Sequence, residues 1–263
     1  MNKKIISILI IFCVSLLSIF FELTNAADLN EILKMTVDEE FKSKDIVFYY
    51  NSILQSKKSP FRIIRTSDGE TETLASIAST DKDNYPGYAE IDRKNGYISI
   101  LNGCNCHGTY ELITCFFDSS RRPFVMIGGD NYKGRNFEFL IPTRLSGWIN
   151  VREKCFPPVN CRDFLADNNV PVNKTVEEIV DFSYEVPYNG TTVKVYINKP
   201  FLNEIVTNDP LGSEYPDYDS SVEKYRNDKQ VVKEVGIFLK SLKRNSIKLK
   251  WNADKSMFEK LID

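Results

Sequence analysis

The sequence predicts an α+β fold: a β-rich antiparallel meander with an N-terminal helix ahead of it, and a C-terminal helix behind it that leads into a terminal hairpin. Three observations carry this expectation. Apolar residues recur at helical spacing in the stretch 28–57 and again after residue 220. From about residue 61 the period falls to two, as in strands with one buried face. Asn-Gly pairs and turns rich in Pro, Ser and Asp separate these alternating runs at short intervals, which suits antiparallel neighbours.

Each element follows from its residues. Ile46, Tyr49, Tyr50, Ile53 and Leu54 fall at i, i+3, i+4, i+7 and i+8 and share one helix face, with Asp45 as N-cap. An aromatic stripe at that spacing reads as core. Tyr88–Asp92 and Tyr97–Leu101 flank Arg93-Lys94-Asn95-Gly96, where Asn and Gly tolerate positive φ and close a hairpin. Further strands are expected at Tyr110–Phe117, Phe124–Ile127 and Phe137–Ile141, joined by 118–123 and 128–135. The Pro- and Asn-rich stretch 156–173 interrupts the pattern and is a possible internal boundary or long ordered loop. Phe182–Val186 and Thr192–Ile197 read as a hairpin about Tyr188-Asn189-Gly190. Ser220 and Glu223 form a capping box for a helix carrying Val222, Tyr225, Val232, Val235, Phe238 and Leu242. Ile247–Trp251 alternates apolar and polar, and Asn252–Lys255 turns the chain into Met257–Leu261.

The first 26 residues have the form of a secretory signal peptide. Lys3 and Lys4 precede an apolar run from Ile5 to Phe21, and Thr24 and Ala26 place small residues at a cleavage site after Ala26. The competing reading is an uncleaved anchor, because about 17–25 apolar residues can span a bilayer. Cys13 follows Phe12 inside the run, which is not the position a lipoprotein cysteine takes. The expectation is therefore a signal peptide at 1–26, an α+β domain at 27–263 without a transmembrane segment after cleavage, and a periplasmic or secreted location.

Charge and motif content narrow the chemistry. A chain with 34 basic and 36 acidic side chains lacks the basic surplus that general nucleic-acid binding needs. A hydrophobic fraction of 42% is too high for a disordered chain. A single histidine, His107, excludes His-Glu-x-x-His and multi-His metal sites within the chain, and no Gly-x-Ser-x-Gly elbow presents a serine. The loop Gly129–Asn136 has a Gly-x4-Gly skeleton without the Lys-Ser/Thr of a phosphate loop, so no nucleotide cofactor is expected. Asp217, Asp219, Ser221 and Glu223 alternate oxygens but lack the Gly and Glu of an EF-hand. A pair of catalytic carboxylates cannot be nominated, and any catalytic residue stays unknown. Tyr132, Trp148 and Trp251 would suit stacking on sugars or filling of the core alike. Residues 221–263 carry eleven basic and six acidic side chains, either a solvated helix face or a contact face for an anionic partner.

Five cysteines follow the leader: Cys104, Cys106, Cys115, Cys155 and Cys161. In an oxidising compartment they are expected to pair. Cys155 with Cys161, across a Pro-stiffened loop, is the first expectation, and Cys115 with Cys104 or Cys106 the second. Cys104, Cys106, His107 and Cys115 also make four N/S donors, the set that zinc or Cu(I) takes, though not at a zinc-finger spacing. A Cys-x-Cys beside a strand is not the Cys-x-x-Cys at a helix start that catalytic redox sites use.

Two motifs, Asp92-Arg93-Lys94-Asn95-Gly96-Tyr97-Ile98 and Ile247-Lys248-Leu249-Lys250-Trp251-Asn252 with Phe258-Glu259-Lys260, resemble those of uncharacterised exported proteins of Bacteroidetes-type bacteria. The resemblance spans about half the chain in pattern. It implies export and a mostly β fold, and brings no activity. The resulting expectation is an exported, disulfide-containing binding or scaffold protein with an unknown envelope or extracellular partner and no catalysis. The alternatives are a carboxylate-dependent hydrolase of envelope glycan and a metal-handling protein.

Overall fold

The structure is a computed structural model that describes residues 28–34, 39–65, 72–76, 87–102, 109–129, 137–144, 147–166, 170, 172–207 and 222–261. The fold is α+β, as expected, and its described strands are all antiparallel. Eight strands form a meander in chain order: β1 (Phe61–Arg65), β2 (Glu72–Ser76), β3 (Gly87–Asp92), β4 (Tyr97–Asn102), β5 (Thr109–Phe117), β6 (Pro123–Gly129), β7 (Phe137–Thr143) and β8 (Gly147–Asn150). A second sheet holds β9 (Phe182–Glu185), β10 (Thr192–Ile197), β11 (Ser246–Asn252) and β12 (Met257–Leu261), in the order β12-β11-β10-β9. The helices are α1 (Leu29–Lys34), α2 (Ile46–Ser56), α3 (Arg152–Cys155), α4 (Lys174–Ile179), α5 (Lys199–Thr207) and α6 (Lys229–Ser241), with a helical turn at 222–226.

The middle strands of the large sheet are buried on both faces. Side chains alternate along a strand, so Val125 and Ile127 of β6 join Ile98, Ile113 and Leu140 under helix α2. That helix starts where expected: the Asp45 carboxylate accepts the Phe48 N–H at 2.9 Å. Its buried face is Ile46, Tyr49, Tyr50 and Ile53. The opposite residues of β5–β7, including Phe116, Phe124, Met126, Phe137 and Phe139, enter a larger core. There they meet Val193, Val195, Ile247, Leu249, Trp251 and Phe258 from the small sheet, and the apolar faces of α4, α5 and α6. The Pro- and Asn-rich stretch contributes Cys161, Phe164 and Leu165 to this same core.

The two sheets are tied where the β5–β6 turn meets the β11–β12 turn. Trp251 Nε1 donates to the Phe117 carbonyl at 2.8 Å, and Ser119 N to the Ala253 carbonyl at 3.0 Å. The buried Asp118 carboxylate accepts from Arg122 Nε at 2.6 Å, and Arg122 also reaches the Leu33 carbonyl. Gly128 brings the sheets close elsewhere: a Cβ there would stand 2.7 Å from Val186 Cγ2.

Asn95-Gly96 closes the β3–β4 hairpin, with Gly96 at φ +64 and Asn95 bonded to the Asp92 carboxylate through its N–H and its amide. Gly190 likewise takes a positive φ between β9 and β10, although the strands stop at Glu185 and Thr192 and leave a longer loop than a tight hairpin. The C-terminal helix is not continuous. It breaks at Asn227-Asp228, because the Asp228 side chain caps a fresh start by accepting from Gln230 N and Val231 N. Ser220 of the expected capping box lies outside the described residues. Strand β8 and helices α3, α4 and α5 are additions to the expected elements.

Candidate functional site

The small sheet has one face to solvent, and that face is cationic. In β11, Ile247, Leu249 and Trp251 point inward, so Lys248 and Lys250 must point outward. The register sets Lys194 and Leu261 on either side of Lys248, and Glu185 beyond Lys194. Glu259 stands opposite Lys250.

Several lysines here are held by groups within the protein. Lys194 lies 3.2 Å from the Glu185 carboxylate, which also accepts from Tyr196. Lys255 lies 2.6 Å from Glu259, and Lys260 bonds both oxygens of Asp163 at 2.7 and 2.8 Å. Lys199 donates to the Asn245 side-chain oxygen. The neighbouring ammonium and its hydrogen bond hold the Glu259 carboxyl below the ordinary carboxylate range.

Three cations at one end of the sheet break this pattern. Lys243 and Arg244 follow the end of α6, and Lys248 lies just inside β11. Together with Ser246, Ile247 and Leu261 they line a concavity of about 300 Å³. None of the three has a carboxylate partner among the described residues. Among the described residues the β11–β12 pairing runs from Lys248–Leu261 to Asn252–Met257.

The turn that presents them is fixed by backbone bonds. Lys243 N and Arg244 N both point at the Phe164 carbonyl, at 2.9 and 3.4 Å, and Ala166 N donates to the Ser241 carbonyl. An isolated bridge pairs Leu165 with Leu242. A basic residue after a helix also complements the negative end of the helix dipole. That suffices for Lys243 and Arg244 but not for Lys248, which belongs to a strand. Three cations around one hollow repel one another unless an anion is shared between them.

Other polar clusters are self-contained. Arg93 binds both Glu72 oxygens at 2.6 Å and Asp45 at 2.7 Å. The Arg93 hydrogen bonds hold Glu72 below the usual range. At Asp45 burial opposes ionisation, but the Phe48 N–H and Arg93 outweigh it and the net shift is downward. Tyr50 donates to Glu111, and burial first, then that carboxylate, pushes its phenol upward. Asp92, too, is lowered, by the Asn95 amide. Downward shifts suit fixed structural anions and are opposite to what a general acid needs.

The sequence-flagged residues separate. Cys104, Cys106, His107, Tyr132 and the segment with Asp217 and Asp219 lie outside the described residues. Cys115 sits on β5, half-buried against the core under α2, and desolvation pushes its thiol upward. Cys155 and Cys161 are buried free thiols, pushed by desolvation to about 12 and about 11. The expected Cys155–Cys161 bridge is not formed here: Phe156 and Asn160, inside the loop, both take extended backbone. Among the described residues no group of three metal-ligating side chains stands together. Trp251 is core, and Trp148 donates to Ser52 while packing on Phe41 and Tyr49. Among the described residues no helix is long and apolar enough to cross a membrane.

The basic surplus of residues 221–263 was legible, but not the unit Lys243-Arg244-Lys248. Its signal was three cations in six residues across a helix-to-strand junction. Among solved structures, the chain is similar to a domain of an uncharacterised protein from Porphyromonas gingivalis W83. The TM-score is 0.41 and the identity 9%, over 89% of this chain and 93% of that one. No protein-family model matches the chain, and no curated protein matches it.

Proposed function

We propose that this chain is an exported, non-catalytic binding protein of the cell envelope, periplasmic or secreted, that engages an anionic partner through the outward face of its C-terminal sheet. The observation that carries the reading is the Lys243–Arg244–Lys248 hollow, whose three cations have no carboxylate partner among the described residues. The leader-like residues 1–26 support export. Disulfide formation belongs to the same reading: in an oxidising compartment Cys155 pairs with Cys161, and Cys115 with Cys104 or Cys106, once the loop 156–160 draws its ends together.

Two measurements test it. The full chain is expressed with its leader, and the mass of the recovered protein is taken after fractionation, with and without alkylation under denaturing conditions. The expected result is a product outside the cytoplasm lacking residues 1–26 and labelled at one thiol. A full-length cytoplasmic product overturns export, and five labelled thiols overturn the disulfides. Co-sedimentation with isolated envelopes then tests binding. Association that falls steeply with salt is expected, and none at low salt overturns the binding reading.

A further inference from the structure

We infer that the hollow lined by Lys243, Arg244, Ser246 and Lys248 is a binding site for a phosphate monoester, a compact dianion. The inference rests on the envelope-binding reading for its biological setting and goes beyond it in naming the ligand's chemistry.

Four features select this class. The first is charge. Three formal positive charges converge on one hollow without a carboxylate among the described residues, so a dianion is a better counter-ion than a single carboxylate. The second is donor geometry. Arg244 offers a planar fork that matches two oxygens of a phosphate, Lys243 and Lys248 act as point charges, and the Ser246 hydroxyl can donate to an ester or terminal oxygen. The third is size. About 300 Å³ lies at the small end of ligand pockets, enough for a phosphate and a short polyol or sugar but not for a long polymer segment. Leu261 gives one apolar wall against which the carbon part of such a ligand can lie.

The fourth feature is preorganisation. The turn carrying Lys243 and Arg244 is held by both of its N–H groups on the Phe164 carbonyl, and Lys248 is fixed by pairing with Lys194 and Leu261 on either side. Little backbone order has to be gained on binding. The contrast within the same sheet is informative. Lys194 and Lys255 are both well exposed, and each has its own acid. Lys250 on the same face likewise has no carboxylate partner among the described residues, so what sets the hollow apart is the gathering of three cations around one concavity.

The test is a titration of the full chain with glycerol 3-phosphate at low salt, followed by amide NMR shifts. Saturable shifts confined to the 241–248 and 260–261 backbone are expected. Lys248→Gln weakens binding about tenfold, the loss of one charge-assisted contact. Arg244→Lys keeps the charge, loses the fork and weakens binding several-fold. Lys255→Gln removes one charge at the far end of the same sheet and leaves affinity unchanged. Thermal melts of the variants confirm that all remain folded.

Absence of saturable shifts overturns the inference. So does an equal loss in Lys255→Gln, which would mean a diffuse field, and so does acetate binding as tightly as the phosphate ester. Vesicles of phosphatidylcholine with phosphatidic acid identify the source of the group. Vesicle binding competed by glycerol 3-phosphate assigns the site to a lipid headgroup. Retained glycerol phosphate binding without vesicle binding assigns it to a soluble ester. Salt-sensitive envelope association without phosphate binding sinks this inference alone. Phosphate binding without envelope association sinks the envelope reading alone.

Discussion

The two sheets solve opposite problems. The eight-stranded meander is covered on both faces in its centre, and its middle strands are nearly continuous apolar runs: Leu112-Ile113-Thr114-Cys115-Phe116-Phe117 and Phe124-Val125-Met126-Ile127. The four-stranded sheet is covered on one face, and β11 alternates strictly, Ile247-Lys248-Leu249-Lys250-Trp251. Sequence alternation therefore separates a sheet that holds the molecule together from a sheet that can present chemistry. Substitutions that remove apolar groups should be felt through the first, and substitutions that remove charge should be felt at the surface of the second.

The largest effect is expected at the aromatic cluster where the sheets meet. Phe139 is fully buried and touches the rings of Phe116, Phe124, Phe156, Trp251 and Phe258. Phe139→Ala should cost about 3–5 kcal/mol in urea unfolding. Lys250→Ala, on the outward face, should stay within about 0.5 kcal/mol. Similar losses for both would erase the contrast between the sheets.

Asp118 comes next. Its carboxylate is buried, Arg122 is only partly so, and Ser256 from the β11–β12 turn lies 3.5 Å away. Asp118→Ala should cost about 2–3 kcal/mol, because a partly buried guanidinium loses its counter-charge while part of it can still reach water. The double variant with Arg122→Met should recover part of the loss. If the single variant is neutral, the junction is held by the Trp251 and Ser119 bonds instead.

These elements also mark what was readable beforehand. The α2 face, the Asp45 cap, the Asn95-Gly96 turn and the β11–β12 hairpin are local: residues within a few positions specify each by periodicity or by a demand for positive φ. The break at Asp228 was not anticipated, since the apolar spacing runs on through it and only the capping competition of one side chain ends the first segment. Helix α5 announces itself by Pro200 in its first turn and by Phe201, Leu202 and Ile205, a signal hidden by its position directly after a strand. The hollow could not be read at all as a site. Its cations are visible in the sequence, but whether each lysine has an acid depends on register: Lys194 meets Glu185 across one strand pair, whereas Lys248 meets Leu261 across another.

The smallest effect sharpens the comparison by pH. Arg93 joins Asp45 ahead of α2 to Glu72 of β2, at a solvent-facing corner of the large sheet. Arg93→Met should cost about 1 kcal/mol at neutral pH, the upper end for a partly exposed but bidentate pair. Both carboxyls titrate below their ordinary values of 3.8 and 4.5 in the folded protein. The unfolded chain therefore binds protons first as pH falls, so the stabilisation is full above the ordinary values and is lost progressively below them, as the folded carboxylates protonate. The gap between wild type and variant in urea should close over that acid range and stay constant from pH 6 to 8. A gap that does not narrow at all as pH falls below about 4 would mean that the methylene stem of Arg93, not its charge, holds the corner. The large sheet would then be sealed by apolar contact even where its surface carries ions.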